Sequence, residues 1–407
     1  MRAQNLKLEA AGKPCIGLCW GGPCCLTGWL RPSSGPVVYS RSRTRLKQES
    51  IVKNQLSYIS GMLIMLCLAG ASATASDRHN GQSTLVITST NDASANQVVV
   101  FKLSSGDTPS LSLVNTLPTG AKGGAGGNAG ALQFRGETGA VVNYGSNTLS
   151  RLVRDGHSIR IAGSIPLASN CVQPVSVALN NRHAFVVGSN CAESHSWPSG
   201  FVDGNTVSLP DNSAAQIVTG ESWSAVTLKS GSVLQLGLTP GGALNGASST
   251  VTLPPDANDT PLGAAFWGDL LGLTPAHSPD SFALVDKAGD VFPVLGPQPA
   301  FPTNAPCWLA KGPGNIWYAG NSPGQAISIF FSDGKGGAFY KSVPVGGVAT
   351  DISVSPDGNW LAVIFTASDG SGGRVSVFSI DSFGDLSFVA TSDPIGIASF
   401  NGVAFSQ

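Results

Sequence analysis

From Thr84 onward the chain is a succession of short apolar runs cut by turn residues, and the runs have the length of strands. The stretch from Asp351 to Thr391 shows the unit most clearly. Its four runs, Ile352 to Ser355, Trp360 to Phe365, Arg374 to Ile380 and Leu386 to Thr391, are rich in Val, Ile and Phe. Between them stand Pro356-Asp357-Gly358-Asn359, a Gly/Ser loop and Ser382-Phe383-Gly384-Asp385. Strong β-formers bounded by turn chemistry predict a four-stranded antiparallel meander. One such sheet cannot bury both of its faces alone, so neighbouring copies are required.

The copies recur at intervals of about 40 to 50 residues, the period of propeller blades. The first contains Thr84 to Thr90, Gln97 to Leu103 and Leu111 to Leu117; the second begins at Ala131-Leu132-Gln133-Phe134. The third starts at Pro174, the fourth at Trp223-Ser224-Ala225-Val226, the fifth at Gly263 and the sixth at Cys307. The stretch from Asp351 is the seventh. One strand is left over at the end, Asn401 to Ser406, and the first copy lacks an innermost strand. The two fit each other, because a C-terminal strand that completes the first blade removes the open seam of the ring. The prediction is an all-β, seven-bladed β-propeller of four-stranded antiparallel blades, closed by the C-terminal strand.

Composition agrees: 407 residues with 51 Gly, 26 Pro and only 12% charged residues favour one large all-β domain. The formal net charge of -1 gives no electrostatic reason to expect nucleic acid. Residues 1–50 stand apart, with Cys15, Cys19, Cys24 and Cys25 among Gly, Pro and a basic run. No His or second CxxC pair completes a metal site there, so the segment is expected to be a disordered extension or sequence upstream of the true start. Residues 51–76 hold an apolar run from Met62 to Ala71 that ends in Ala71-Ser72-Ala73 behind Lys53. A charged flank, an apolar core of about ten residues and a small-residue end predict a signal peptide or signal-anchor, and hence secretion; a membrane association follows only if the segment stays uncleaved. The propeller is then residues 77–407, expected as an extracellular monomer.

Past the signal only Cys171, Cys191 and Cys307 remain. A hairpin turning at Asn180-Asn181-Arg182 places residues whose numbers sum to about 362 opposite each other, so Cys171 and Cys191 are expected to form a cross-strand disulfide. Cys307 is expected as a buried single thiol. Asn258-Asp259-Thr260 is a glycosylation sequon on a Pro/Asp-rich loop, which makes Asn258 a glycan acceptor in a secreted eukaryotic protein.

In this topology the loops leading into the inner strands share one face, the top, with the loops between second and third strands. Asn128, Gln173, Glu221, Trp223, Trp308 and Asp351 are read as the residues leading into inner strands and as the rim of a ligand pocket. The loop Ser189 to Asp203 is expected to bring Glu193, His195 and Trp197 to the same rim. Glu221 is the candidate general acid or base, with His195 as a second proton-transfer group. Each has a plainer role open to it: Asn and Asp before strands satisfy turn backbones, and Trp223 and Trp308 pack between blades. His157 and His183 sit in turns. The run Gly120 to Gly130 lacks the Lys-Ser/Thr and the helix of a phosphate loop, and reads as a tight turn into the second blade. No triad or zinc-hydrolase motif is present, and neither a metal nor a cofactor is implied.

These pieces resemble the seven-bladed lactonase-like propellers, which include bacterial 6-phosphogluconolactonase and the fungal 3-carboxy-cis,cis-muconate lactonizing enzyme. They are most similar to a secreted branch described as 3-carboxymuconate cyclase-like, with YVTN/WD40-like repeats. The matching residues are Gly123-Gly124 through Gly130-Ala131-Leu132, Gln173-Pro174-Val175-Ser176-Val177, Ala305-Pro306-Cys307-Trp308 with Trp317-Tyr318-Ala319-Gly320-Asn321, and Ser353-Val354-Ser355-Pro356-Asp357-Gly358. The resemblance spans about residues 84–407 and implies hydrolysis or formation of a lactone of a small carboxylic or sugar acid. The sequence departs from the family where a His follows the Pro of an inner strand and where Gly-Pro-Arg-His stands in a later blade. Pro174-Val175 and Pro306-Cys307-Trp308 occupy those places, so the groups that would polarise a lactone carbonyl are missing there. Two readings follow: a lactonase-like enzyme, or a non-catalytic propeller that binds carbohydrate, a small ligand or another protein through its rim. A quinone or sugar oxidoreductase would need more cationic and His groups than this rim offers.

Overall fold

The computed structural model describes residues 83–106, 108–277, 282–294, 305–396 and 400–407. The expected extension and signal lie outside the described residues. The described chain forms seven four-stranded antiparallel sheets. The innermost strands, from blade 1 to blade 7, are Asn401–Ser406, Leu132–Arg135, Ser176–Leu179, Ala214–Thr219, Pro261–Trp267, Pro306–Lys311 and Gly347–Val354. Each inner strand touches the next around a complete ring, and Asn401–Ser406 closes it between blades 7 and 2. Its partner in blade 1 is Thr84–Ser89, with Val86 opposite Phe405 and Ile87 opposite Ala404.

The blades hold together because both faces of each sheet are covered by neighbours. Along one strand Val86 packs toward blade 7, in a cluster with Ile364 and Val377, while Leu85 and Ile87 pack toward blade 2, with Leu132 and Val141. Strands buried on both faces select continuous apolar runs rather than strict alternation, which is the pattern seen along the chain. Where a large ring must lie flat on a sheet the facing residue shrinks. A Cβ at Gly272 of blade 5 would stand 2.4 Å from the indole of Trp317 in blade 6.

Three boundaries differ from expectation, the first being the inner strand of blade 7, which begins at Gly347 and so contains Asp351 rather than following it. The inner strand of blade 4 is Ala214–Thr219, and Trp223–Leu228 is its second strand. The polar lead-in Asp211-Asn212-Ser213 and the small residues Ala214-Ala215 hide a strand that the stronger Trp223 run overshadows. In blade 3 the expected long loop contains a buried third strand, Cys191–Ser196. Its polar sequence is accommodated by internal pairing, described below.

Cys171 and Cys191 are joined by a disulfide, tying the segment before blade 3 to the start of its third strand. Cys307 is half-buried rather than buried. The cross-link closes a loop with a sequence separation of 20. Such a loop is worth about 3 kcal/mol. Replacing both cysteines by serine is therefore expected to lower the melting temperature by several degrees; an unchanged thermal transition would contradict it.

Candidate functional site

The top face, where the sequence places the rim, is closed over the channel by the glycine-rich segment that leads into blade 2. Gly130 N donates to Asp351 Oδ2 of blade 7 at 3.0 Å, while Gly130 O accepts from Val177 N of blade 3 at 2.9 Å. Ala129 N reaches Ala215 O of blade 4 at 3.3 Å, and Lys229 Nζ of that blade donates to Gly127 O at 2.9 Å. Asn128 is buried and donates through Nδ2 to Val175 O. The segment thus straddles the top of the channel. Gly130 has φ +66°, and a Cβ there would come within 3.0 Å of Gln216 Nε2. Glycine is required by both the backbone and the space.

Beneath this cover all seven inner strands line a cavity of about 270 Å³. Two side chains reach into it from blade faces that otherwise point toward neighbours, and a β-bulge explains each. Register shifts at Ala214/Gln216 and at Ala349/Asp351 re-aim Gln216 and Asp351. Gln216 Oε1 accepts from Ala264 N at 2.6 Å. Asp351 accepts from Gly130 N, from Ile352 N at 2.9 Å and from the backbone of Gly402. Burial pushes its carboxyl up to about 7 against those three backbone donors.

The channel opens at the bottom face, where the hairpins between first and second strands converge. Here the turns of blades 2 to 5 form a groove of about 480 Å³ lined by Arg135, Asn181, Arg182 and Glu221, with Thr219 and Phe266 shared with the channel lining. Arg135 is oriented by Nε donating to Asn181 Oδ1 at 2.7 Å. Asn180 Oδ1 accepts from the amides of Arg182 and His183 at 2.8 and 2.7 Å, which shapes the hairpin that presents Arg182. Lys311 stands at the channel mouth, its Nζ donating to Gly312 O and Gly314 O and lying 5.1 Å from the Trp267 ring centre. Burial draws its ammonium down to about 8. Guanidinium groups suit a carboxylate or phosphate, and an exposed carboxylate beside them suits proton transfer to water or a ring oxygen.

Glu221 therefore does not lead into an inner strand. It is exposed in the turn that follows one, on the face opposite Asn128 and Asp351. His195 does not share its groove. His195 is buried within the third strand of blade 3, with Nε2 2.7 Å from Glu193 Oε1 and Nδ1 3.0 Å from Gly200 O. Glu193 also accepts from Ala168 N. This pairing satisfies the polar strand internally, and Trp197 beyond it packs in the core with Nε1 on Thr138 Oγ1. Neither Glu193, His195 nor Trp197 stands at the top rim.

Trp223 lies edge-on to Phe266 at 4.8 Å and donates to Asp269 O; Trp308 donates to Ala349 O of blade 7. Both pack between blades. Gln173 stays exposed on the top face with φ +55°. Asn258 lies partly exposed on the loop before blade 5, packed on Gly231. Arg135, Arg182, Gln216 and Lys311 were not legible as site residues. The one available signal is that Arg135 ends an inner strand and Arg182 sits in the hairpin turn that follows one.

No protein-family model matches the sequence, and neither does any curated protein. Solved structures do match in shape. A candidate 6-phosphogluconolactonase of Bacteroides uniformis ATCC 8492 is 16% identical with a TM-score of 0.59, covering 80% of this chain and 99% of that one. Another from Bacteroides fragilis NCTC 9343 is 12% identical with a TM-score of 0.57, covering 81% and 99%. A functionally unknown protein of Desulfotomaculum acetoxidans DSM 771 is 14% identical with a TM-score of 0.60, covering 80% and 99%. The chain shares the seven-bladed propeller fold of these structures.

Proposed function

We propose that the protein is a lactonase-like propeller that opens, or in reverse closes, the lactone of a small carboxylic or sugar acid at the bottom-face groove. The observation that carries this reading is the convergence of Arg135, Arg182 and Glu221 on one groove at the channel mouth. The arginines supply the cationic groups that the sequence lacks at the family's usual places. In this mechanism a guanidinium holds the substrate's anionic group and polarises the lactone carbonyl. Glu221 takes a proton from water as the water oxygen bonds to the carbonyl carbon. The C–O bond of the ring then breaks, and the departing ring oxygen receives that proton from Glu221.

The 3-carboxymuconate cyclase-like branch and a secreted location belong to the same proposal. The disulfide and the Asn258 sequon favour an oxidising, extracellular setting, and a glycan on Asn258 would sit away from the groove on the top-face side.

The test is a panel of 6-phosphogluconolactone, aldonolactones and muconolactones offered to the purified chain, with Glu221→Gln and Arg182→Ala alongside. Turnover is expected, with kcat reduced about 100-fold or more by Glu221→Gln and KM raised by Arg182→Ala. No turnover by a folded chain would refute it. The second reading, ligand binding without turnover, is favoured by the burial of His195, which leaves Glu221 without the imidazole expected beside it.

A further inference from the structure

A second groove lies on the bottom face at the outer rim of blades 6 and 7, away from the hairpins of blades 2 to 5. It measures about 520 Å³ and is lined by Asn315, Ile316, Tyr340, Ser382, Phe383 and Asp385, among others. Phe383 is 76% exposed and Tyr340 50%, and the two rings line one groove.

The turn that carries Phe383 and the ring of Tyr340 are nonetheless held in place. Asp381 Oδ1 accepts from the amides of Phe383 and Asp385, both at 2.8 Å, and Tyr318 Oη donates to Gly384 O at 2.9 Å. Gly384 has φ +83° and fits against Ile316, where a Cβ would clash at 2.2 Å. Tyr340 is set edge-on to Phe331 at 5.3 Å, with Lys341 Nζ 5.2 Å from its ring centre. Lys341 also bonds Asp385 Oδ1 at 2.8 Å, fixing that carboxylate at the groove wall. An exposed aromatic pair on a rigid support loses little entropy on binding.

We propose that this groove is a carbohydrate site that takes a neutral pyranose unit of an oligosaccharide. A pyranose has an apolar C–H face, which suits Phe383 and Tyr340, and a rim of hydroxyls, which suits the Asp385 carboxylate, the Asn315 amide and the Ser382 hydroxyl. An apolar peptide or lipid would strip water from the Lys341–Asp385 pair without replacing it. An anionic polymer would meet Asp381 and Asp385.

The probes are cellohexaose, laminarihexaose and chitohexaose, titrated calorimetrically against the full chain. At least one is expected to bind. Phe383→Ala and Tyr340→Ala should each weaken it about tenfold or more, while Phe383→Trp retains it. Glu221→Gln should bind as wild type does, which separates this site from the lactone groove. Because the Phe383 ring is exposed, the urea midpoint of Phe383→Ala should stay at the wild-type value and exclude misfolding, and a single cooperative urea transition does so for Tyr340→Ala. Three results would overturn the proposal: no binding of any of the three sugars, binding indifferent to both alanine substitutions, or a concentration-dependent dimer that Phe383→Ala disperses in the absence of sugar binding.

Discussion

A chain ending at Phe400 is expected to lose cooperative unfolding. The deleted strand is buried along its whole length, and its side chains join two separate inter-blade clusters: Val403 and Phe405 with blade 7, Ala404 with blade 2. Each large apolar side chain lost from such a place is worth about 1.5 to 3 kcal/mol by transfer alone. The polar losses run alongside. Thr88 Oγ1 and Ser89 Oγ lose their acceptors Gly402 O and Asn401 O, each at 2.7 Å, and Arg154 loses Ser406 Oγ at 3.0 Å. Thr84–Ser89 becomes an unpaired inner edge, and the ring is opened. Against a net stability of about 5 to 15 kcal/mol these terms decide the outcome. Urea titration followed by tryptophan fluorescence checks it, and a truncated chain with a sharp transition at the wild-type midpoint would show that the ring does not need its closing strand.

Asp351 is expected to make stability fall as pH rises from about 4 to about 7. Its carboxyl stands at about 7 in the folded chain against an ordinary 3.8, so in that window the folded state holds a proton that the unfolded state has released. The contribution is fully present below the unfolded value and is lost as pH passes the folded one. A shift of that size amounts to on the order of 4 kcal/mol between the two ends. The readout is the difference between wild type and Asp351→Asn, since the variant removes the titration while keeping an acceptor for part of the amide set. Denaturation curves at pH 4.5, 6 and 8 should diverge with pH. Parallel stability profiles for the two chains would rule out the buried carboxyl as their cause. Because Asp351 bonds Gly130, the same titration acts on the segment that covers the channel.

Local chemistry made most of the fold readable. Turn sequences such as Pro356-Asp357-Gly358-Asn359 define a meander without any knowledge of neighbours, and the observed strands Trp360–Ala367 and Gly373–Ile380 follow it closely. The closing strand was legible for the same reason, and the Cys171–Cys191 pairing was also expected, although Cys191 opens the third strand of the blade and the bond is not the cross-strand link of a two-strand hairpin. Blade 4 was misread by one strand because Ala214-Ala215 carries little apolar signal. That misreading moved Glu221 from the bottom face to the top, since a residue's face depends on which strand of its blade it follows.

The site was far less legible. Arg135 and Arg182 are 47 residues apart and Arg182 and Glu221 39, and nothing local relates them. Only ring closure turns one hairpin from each of three blades toward a common axis. His195 shows the converse. In sequence it is a polar residue in a loop near other polar residues, but the strand pairing of blade 3 buries it against Glu193. Gln216 and Asp351 reach the channel through bulges, which depend on the register with the neighbouring strand and leave no mark in either strand alone.

By itself, then, the sequence determined the unit, its repetition, the seam and the covalent tie, because strand propensity, turn chemistry and hairpin arithmetic act over a few residues. The tertiary structure alone decided which face is open, which polar groups meet and which are spent on internal pairing, because those follow from the closure of seven blades around one axis.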